Sequence, residues 1–206
     1  MATEEYHEQR RAQIAEAVER LVAAGGLDGA TVARTAAEAG VSVGLVQHYF
    51  ASKDDMLRYA YTRVTARAMD RVDRRSREIE QHHGTIRQAV RDGLCERLPL
   101  DEDRRAHWRV SFAFAARAVD RPDLAAVRNE TEAAIRARLA EGIGHGHECG
   151  EVPEDVDPQT SAVWLMAAVE GLGLHVCLGA VPAAAALETL ERNVMAVFPG
   201  RCRQHD

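Results

Sequence analysis

Lysine is nearly missing from this chain: Lys53 is the only one among 26 basic residues, and the rest are arginines. Together with heavy alanine use, that bias reads as GC-rich coding before it reads as function, and it leaves Lys53 as a position to follow. Positive charge is also short, with 32 acidic residues and a formal net charge of -6. No global field therefore holds the protein on nucleic acid or an anionic membrane, and any such contact must come from a local patch. The four cysteines, Cys95, Cys149, Cys177 and Cys202, are scattered without a CxxC. That spacing predicts reduced thiols in a cytoplasm rather than a disulfide frame. The opening MATEEYHEQR lacks the basic region and apolar run of an export signal, which again predicts a cytoplasmic protein. Convincing strand alternation with hairpin punctuation is missing too, so the fold is expected to be all-α.

What is present suffices for a folded protein. A hydrophobic fraction of 46% and a charged fraction of 28% sit at the globular average and exclude wholesale disorder. The 206 residues allow one compact domain or a small domain attached to a larger one. Apolar residues at helical spacing predict a first helix from about Glu4 to Ala24, stopped at Gly25-Gly26. Thr31 reads as the N-cap of a short helix through Ala39, ended by Gly40. Ser42 caps a second short helix to about Phe50, and Ser52 caps a third, with Asp55 completing a capping box. Neither Gly nor Pro interrupts Lys53 to Gln81, which is expected to be a long connecting helix. Further helices are expected at about 85–98, 104–119, 122–141, 158–178 and 182–198, with a loop from Gly142 to Asp157. The organisation expected is a trihelical head at 1–52, the connecting helix at 53–81 and a larger all-helical body at 82–206.

The run from Ala162 to Leu178 is nearly all apolar, interrupted by Glu170 and His175. Its length and polar interruptions argue against a membrane span. A soluble helix that is apolar all round must be covered on several faces. A homodimer through the helices at about 158–178 and 182–198 would supply that cover.

The most informative stretch is TVARTAAEAGVSVGLVQHYFASKDDML, Thr31 to Leu57. Small alanines permit close helix packing, Gly40 permits a left-handed turn, and Val46 and Phe50, four residues apart, face the core. Val43, Gly44, Gln47, His48 and Tyr49 are left on or near the outer side. That is the layout of a helix-turn-helix whose second helix enters the DNA major groove. Through residue 60 the head carries six basic residues against nine acids. Phosphate positioning must therefore lean on hydroxyls such as Thr31, on backbone amides, and on Lys53 and Arg34. The arginines from Arg63 to Arg77 are interleaved with acids and read as a solvated helix face.

This stretch resembles the DNA-binding domain of TetR family regulators from about Arg10 to Leu57, through its Ala-Gly-Val-Ser turn, aromatic helix end and Lys-containing start of the next helix. Gln47 stands where many relatives carry tyrosine, and the His48-Tyr49-Phe50 ending looks more like the BetI-like subgroup. The resemblance implies a trihelical head on an all-α, dimeric, ligand-sensing body. It further implies that Ser42, Val43 and Gly44 approach base edges while Tyr49 and Lys53 contact phosphates. The function implied is a repressor on a palindromic operator, released by an unknown small molecule. The alternatives are a regulator without an effector and a helical enzyme.

Catalytic readings have weaker support. Gly40-Val41-Ser42-Val43-Gly44 spells the nucleophile elbow, but that elbow needs a preceding strand and TVARTAAEA is helical. Glu80 and His83 make one Glu-x-x-His where a di-metal bundle needs two. His145, His147, Glu148 and Cys149 offer metal-ligand types without an obvious complete set. No cofactor is implied. For a small-molecule cavity the candidates are His107, Trp108, Ser111 and Phe112 on one helix and Trp164, Met166, Glu170 and His175 on another. An unpaired Glu170 beside aromatics would suit a cationic ligand. A Glu170 paired with arginine, or turned towards a partner, would suit an apolar one.

Overall fold

Capping side chains set where most of the helices begin. In the computed structural model, which describes residues 2–203, the regular structure of those residues is nine α-helices and no strand. They are α1 (Ala2–Gly29), α2 (Val32–Ala39), α3 (Val43–Tyr49), α4 (Lys53–Gln81), α5 (Ile86–Cys95), α6 (Glu102–Val119), α7 (Pro122–Cys149), α8 (Pro158–Cys177) and α9 (Ala183–Val197). Thr31, Ser42, Thr85 and Asp157 each accept a backbone N–H of the first turn that follows, satisfying a donor the helix itself cannot. Ser52 does the same for Asp55 N–H at 3.1 Å, while the Asp55 carboxylate reaches back to Ala51 N–H at 3.3 Å. The expected stop of α1 is real: the helix breaks at Gly26, with φ +68° and ψ -174°.

One expectation is overturned. The segment from Gly142 was expected to be a loop, yet α7 continues to Cys149 and turns only at Gly150, whose φ is +87°. Ala140, Ile143, Gly146 and Cys149 form a buried stripe at helical spacing, hidden in the sequence because one member has no side chain. Close approach explains that glycine. A Cβ on Gly146 would sit 2.5 Å from Val152 Cγ2 and 2.9 Å from Phe198 Cε1.

The chain divides into two compact units, 1–67 with 105–125, and 68–104 with 126–206. The first contains α1 to α3, the start of α4 and most of α6. Ile14, Val18 and Val22 of α1, Val46 of α3, Met56 and Leu57 of α4 and Val110 of α6 are buried there. Tyr61 and Phe114 stack with centroids 4.2 Å apart and planes 6° from parallel. Asp54 accepts from Arg117 at 3.0 and 3.1 Å and from Arg121 at 2.5 Å, tying the start of α4 to the end of α6.

The second unit closes on Val90, Leu94, Ile143, Leu165, Val169, Leu190, Val194 and Phe198, drawn from α5, α7, α8, α9 and the turn after α9. Only one face of the apolar helix α8 is buried, Ala162, Leu165, Met166, Val169, Gly173 and Val176, and the first four of these enter this core. Its other face leaves Val163, Trp164, Ala167, Gly171 and Leu178 exposed. α8 itself has 20 residues, enough by length and composition to cross a bilayer, although Glu170 and the core-packed face give it other work.

Gly146→Ala is expected to lower stability by about 1–3 kcal/mol through overpacking. Gly144, two residues earlier with open space around its Cα, is expected to gain about 0.5–1 kcal/mol on the same change. Urea unfolding of both variants checks the pair.

Candidate DNA-binding surface and ligand cavity

The turn between α2 and α3 rests on one backbone conformation. Gly40 takes φ +66° and ψ +34°, the left-handed region, and from there Val41 N–H reaches Ala36 O at 2.9 Å. Ser42 then restarts the helix by accepting Leu45 N–H at 3.1 Å. Val46 and Phe50 point inward and are buried, as their spacing predicts. α1 braces the pair from behind: Gln13 Nε2 donates to Ala39 O at 2.8 Å, and Arg20 pairs with Glu38 at 2.6 Å. Arg11 lies 5.4 Å from the Phe50 ring centroid and 4.6 Å from that of Tyr59, a cation held against both rings.

The opposite side of this unit faces water. Thr31, Arg34, Ser42, Val43, Gly44, Gln47 and His48 are exposed, and Tyr49 and Lys53 are half-buried. Val43 is 43% exposed, although an apolar β-branched side chain in a short helix would ordinarily help bury it. No acid occurs between Gly40 and Lys53. Several acids elsewhere in the head are engaged: Glu16 and Glu19 pair with Arg63 and Arg67, Glu38 with Arg20, and Asp55 with Arg58. Glu8 accepts the Tyr59 hydroxyl, whose pKa is raised by burial first and by that carboxylate second.

One contact escaped the sequence. His7 Nδ1 lies 2.8 Å from the Tyr49 hydroxyl, with His48 edge-on to Tyr49 at 5.1 Å between centroids. The pairing spans 42 residues, so no local pattern signals it.

In the second unit, α7 and α8 border a cavity of about 410 Å³ lined by Arg128, Asn129, Glu132, Arg136, Val163, Met166, Ala167 and Glu170. Of the two environments left open for Glu170, the structure has the arginine-paired one. Glu170 Oε1 accepts from Arg128 at 2.8 Å and from Arg97 at 3.4 Å. Glu132 takes Arg97 on both oxygens at 3.0 Å and Arg128 at 3.4 Å. Two carboxylates and two guanidiniums thus balance one another in charge, with Arg97 Nε left without a hydrogen-bond partner, and Arg136 adds a further cation to the lining. Trp164 and His175 lie on the exposed side of α8, while Met166 is buried and lines the cavity. His107, Trp108, Ser111 and Phe112 belong to the first unit, where Trp108 stacks on Phe112 with centroids 4.9 Å apart.

The catalytic motifs find no matching geometry. Ser42 caps a helix and follows another helix, not a strand. Glu80 and His83 are exposed, and His83 lies beyond the end of α4 with φ +55°. His147 Nε2 is 3.1 Å from Val156 O, Cys149 is buried and His145 is exposed. Among the described residues no cluster of three or more His, Cys, Asp or Glu is arranged to hold a metal.

Residues 14–60 match the family model for bacterial regulatory proteins of the tetR family, and residues 86–199 match the C-terminal part of BetI-type transcriptional repressors. The chain belongs to the TetR family. It is a transcriptional regulator of the BetI-like subgroup. It is 31% identical over 175 residues to the HTH-type transcriptional regulator PksA of Bacillus subtilis, covering 85% of this chain and 82% of that one. It is 32% identical over 170 residues to BetI 1 of Chromohalobacter salexigens, covering 82% and 79%. A crystal structure of a transcriptional regulator from Rhodococcus superposes with a TM-score of 0.78 at 31% identity, over 91% of this chain and 95% of the other. Regulators of the TetR family bind DNA operators and act as dimers.

Two substitutions test the turn that builds this TetR head. Gly40→Ala is expected to cost about 1–2 kcal/mol, because a Cβ disfavours the left-handed conformation. Ser42→Ala is expected to cost about 1 kcal/mol through the lost cap. Urea unfolding followed by circular dichroism reads both.

Proposed function

We propose that this TetR-family regulator is a cytoplasmic, non-catalytic repressor that binds a pseudo-palindromic operator as a homodimer and is released by a small molecule. The observation that carries the reading is the exposed side of α3. A seven-residue helix buries Val46, hands Phe50 to the core and leaves Val43, Gly44 and Gln47 in water. In this reading Ser42, Val43, Gly44 and Gln47 meet base edges. Thr31, Arg34, His48, Tyr49 and Lys53 hold phosphates, with Tyr49 oriented by His7. The outward stripe of α8, with Trp164 45% exposed, supports the dimer, since a second copy is the simplest cover for it. Met195 on α9 is a further large apolar side chain left about half exposed.

The effector belongs in the α7–α8 cavity, where Met166 and Glu170 touch it, with Trp164 and His175 further along α8. The stacked pair Trp108 and Phe112, with His107 and Ser111, is a second candidate contact surface. Because Glu170 and Glu132 are already matched by arginines, the cavity favours a neutral, largely apolar effector over a cationic one. Binding would favour one arrangement of the two heads over the arrangement that fits both half-sites. The same paired network supports a second reading, a regulator with no effector, since Glu132 and Glu170 need no cationic ligand to neutralise them.

Selection from random duplexes is expected to return an inverted repeat with half-sites one helical turn, about 34 Å, or a multiple apart. Lys53→Ala should weaken binding to every sequence and reduce the salt slope by about one, while Gln47 substitutions should change base preference. An enrichment without two-fold symmetry would refute the DNA-binding part of the proposal.

For assembly, Trp164→Glu with Ala167→Glu should turn a dimer that persists at low concentration into monomer or aggregate by light scattering. A parent protein that runs as a stable monomer would remove the dimer. For the effector, Asn129→Trp should fill the cavity and abolish small-molecule release from DNA with operator affinity intact. Glu170→Gln should keep the response, and a lost response with an intact dimer would restore the cationic ligand. If no compound in a chemically diverse set alters parental operator affinity, the effector-free reading stands.

A further inference from the structure

Beyond the end of α7 the chain is strapped to the segment that follows α9. Arg203 N–H donates to Cys149 O at 2.8 Å, and Gly200 N–H donates to Glu151 O at 2.9 Å. This strap sets Cys202 against Cys149, from the two ends of the stretch that contains α8 and α9. Both are free, buried thiols, 4% and 8% exposed for Cys149 and Cys202, and Cys202 is near enough to help raise the Cys149 pKa. The Cys149 S–H also lies 3.5 Å from Glu151 Oε2.

Glu151 is the unusual member of this group. It is fully buried, its Oε2 accepts Arg87 backbone N–H at 3.2 Å, and its Oε1 has no hydrogen-bond partner. The nearby Arg87 guanidinium is spent on the carbonyls of Phe198 and Gly200, at 3.3 and 3.4 Å. A buried carboxylate without an ion pair is costly to keep, and neither operator binding nor the α7–α8 cavity uses it.

We propose that Cys149 and Cys202 are an oxidation site that closes into a reversible intramolecular disulfide, with Glu151 as the proton acceptor for Cys149. The oxidant is a hydroperoxide. Cys202, the more exposed thiol, loses its proton and attacks the terminal peroxide oxygen. The S–O bond forms, the O–O bond breaks, and the departing oxygen leaves as water or an alcohol after taking a proton. Cys149 then transfers its proton to Glu151 Oε2 as its sulfur attacks the Cys202 sulfenic acid. The S–S bond forms, the S–O bond breaks, and the hydroxide leaves as water with the proton from Glu151. Two thiols are oxidised by two electrons and the peroxide is reduced by two. Burial pushes the Cys149 thiol up to about 11, so it is a poor first nucleophile, and its attack on the sulfenic acid needs the carboxylate beside it to take the proton. Cys95 is likewise pushed up to about 11 by burial, so it is a poor competitor.

The test uses full-length protein, hydrogen peroxide and denaturing thiol titration. Of the four thiols, two are expected to disappear, with a mass loss of two hydrogens and a peptide map joining Cys149 to Cys202. Dithiothreitol should return them. The closed loop contains α8 and α9, so the oxidised protein should melt several degrees higher. Cys202→Ser should keep its three remaining thiols at the same peroxide dose. Glu151→Gln, checked for parental helicity, should form the disulfide about tenfold more slowly or worse, with the sulfenic acid trapped by dimedone at Cys202. Four thiols surviving in the parent, a bond involving Cys95 or Cys177, or a bond between two chains would each overturn the proposal. Unchanged disulfide kinetics in a folded Glu151→Gln would overturn the role of Glu151. None of these readouts depends on DNA or on an effector.

Discussion

Everything the α2–turn–α3 unit presents outward depends on what it buries. Seven residues are too few to hold a helix in water, because the nucleation cost is met only by tertiary packing. Val46 and Phe50 supply that packing, and Arg11 and Gln13 on α1 hold the turn and the ring from behind. The surface left over is fixed in direction by the same contacts. A groove-reading helix needs that direction more than it needs intrinsic stability.

Arginine organises much of the remainder. An acidic chain with a single lysine meets its carboxylates with planar guanidinium forks, which bridge two partners at once. Asp54 receives two arginines, Glu19 receives two, and Arg97 and Arg128 each reach both Glu132 and Glu170. Exposed pairs of this kind add little stability singly. Their effect is on register, since each fork connects helices distant in sequence, and on charge, since it neutralises acids that would otherwise repel a phosphate backbone.

The legible parts of the molecule were those written locally. Thr31, Gly40, Ser42 and Ser52 mark helix ends through their own backbone or side-chain chemistry, and all stand at the ends they were expected to mark. The end of α7 was not legible, because Gly146 reads as a breaker until Val152 and Phe198 are known to press against it. Glu170 shows the same limit. Its oddity within an apolar run was visible, but its partners, Arg97 and Arg128, lie on other helices at separations of 73 and 42 residues. The aromatic candidates could be grouped only within their own helices, and Trp108 and Trp164 fall in different units.

That separation of the two tryptophans gives the protein an intrinsic optical label for each unit. Trp108 is half-buried against Phe112, and Trp164 stands nearly half exposed on the outer face of α8. The chain has no third indole to blur the signal. Emission from Trp108 reports the surroundings of α6, and emission from Trp164 reports how wet the α8 surface is. Replacing either indole by phenylalanine leaves a fluorophore that watches one unit alone, without any added dye.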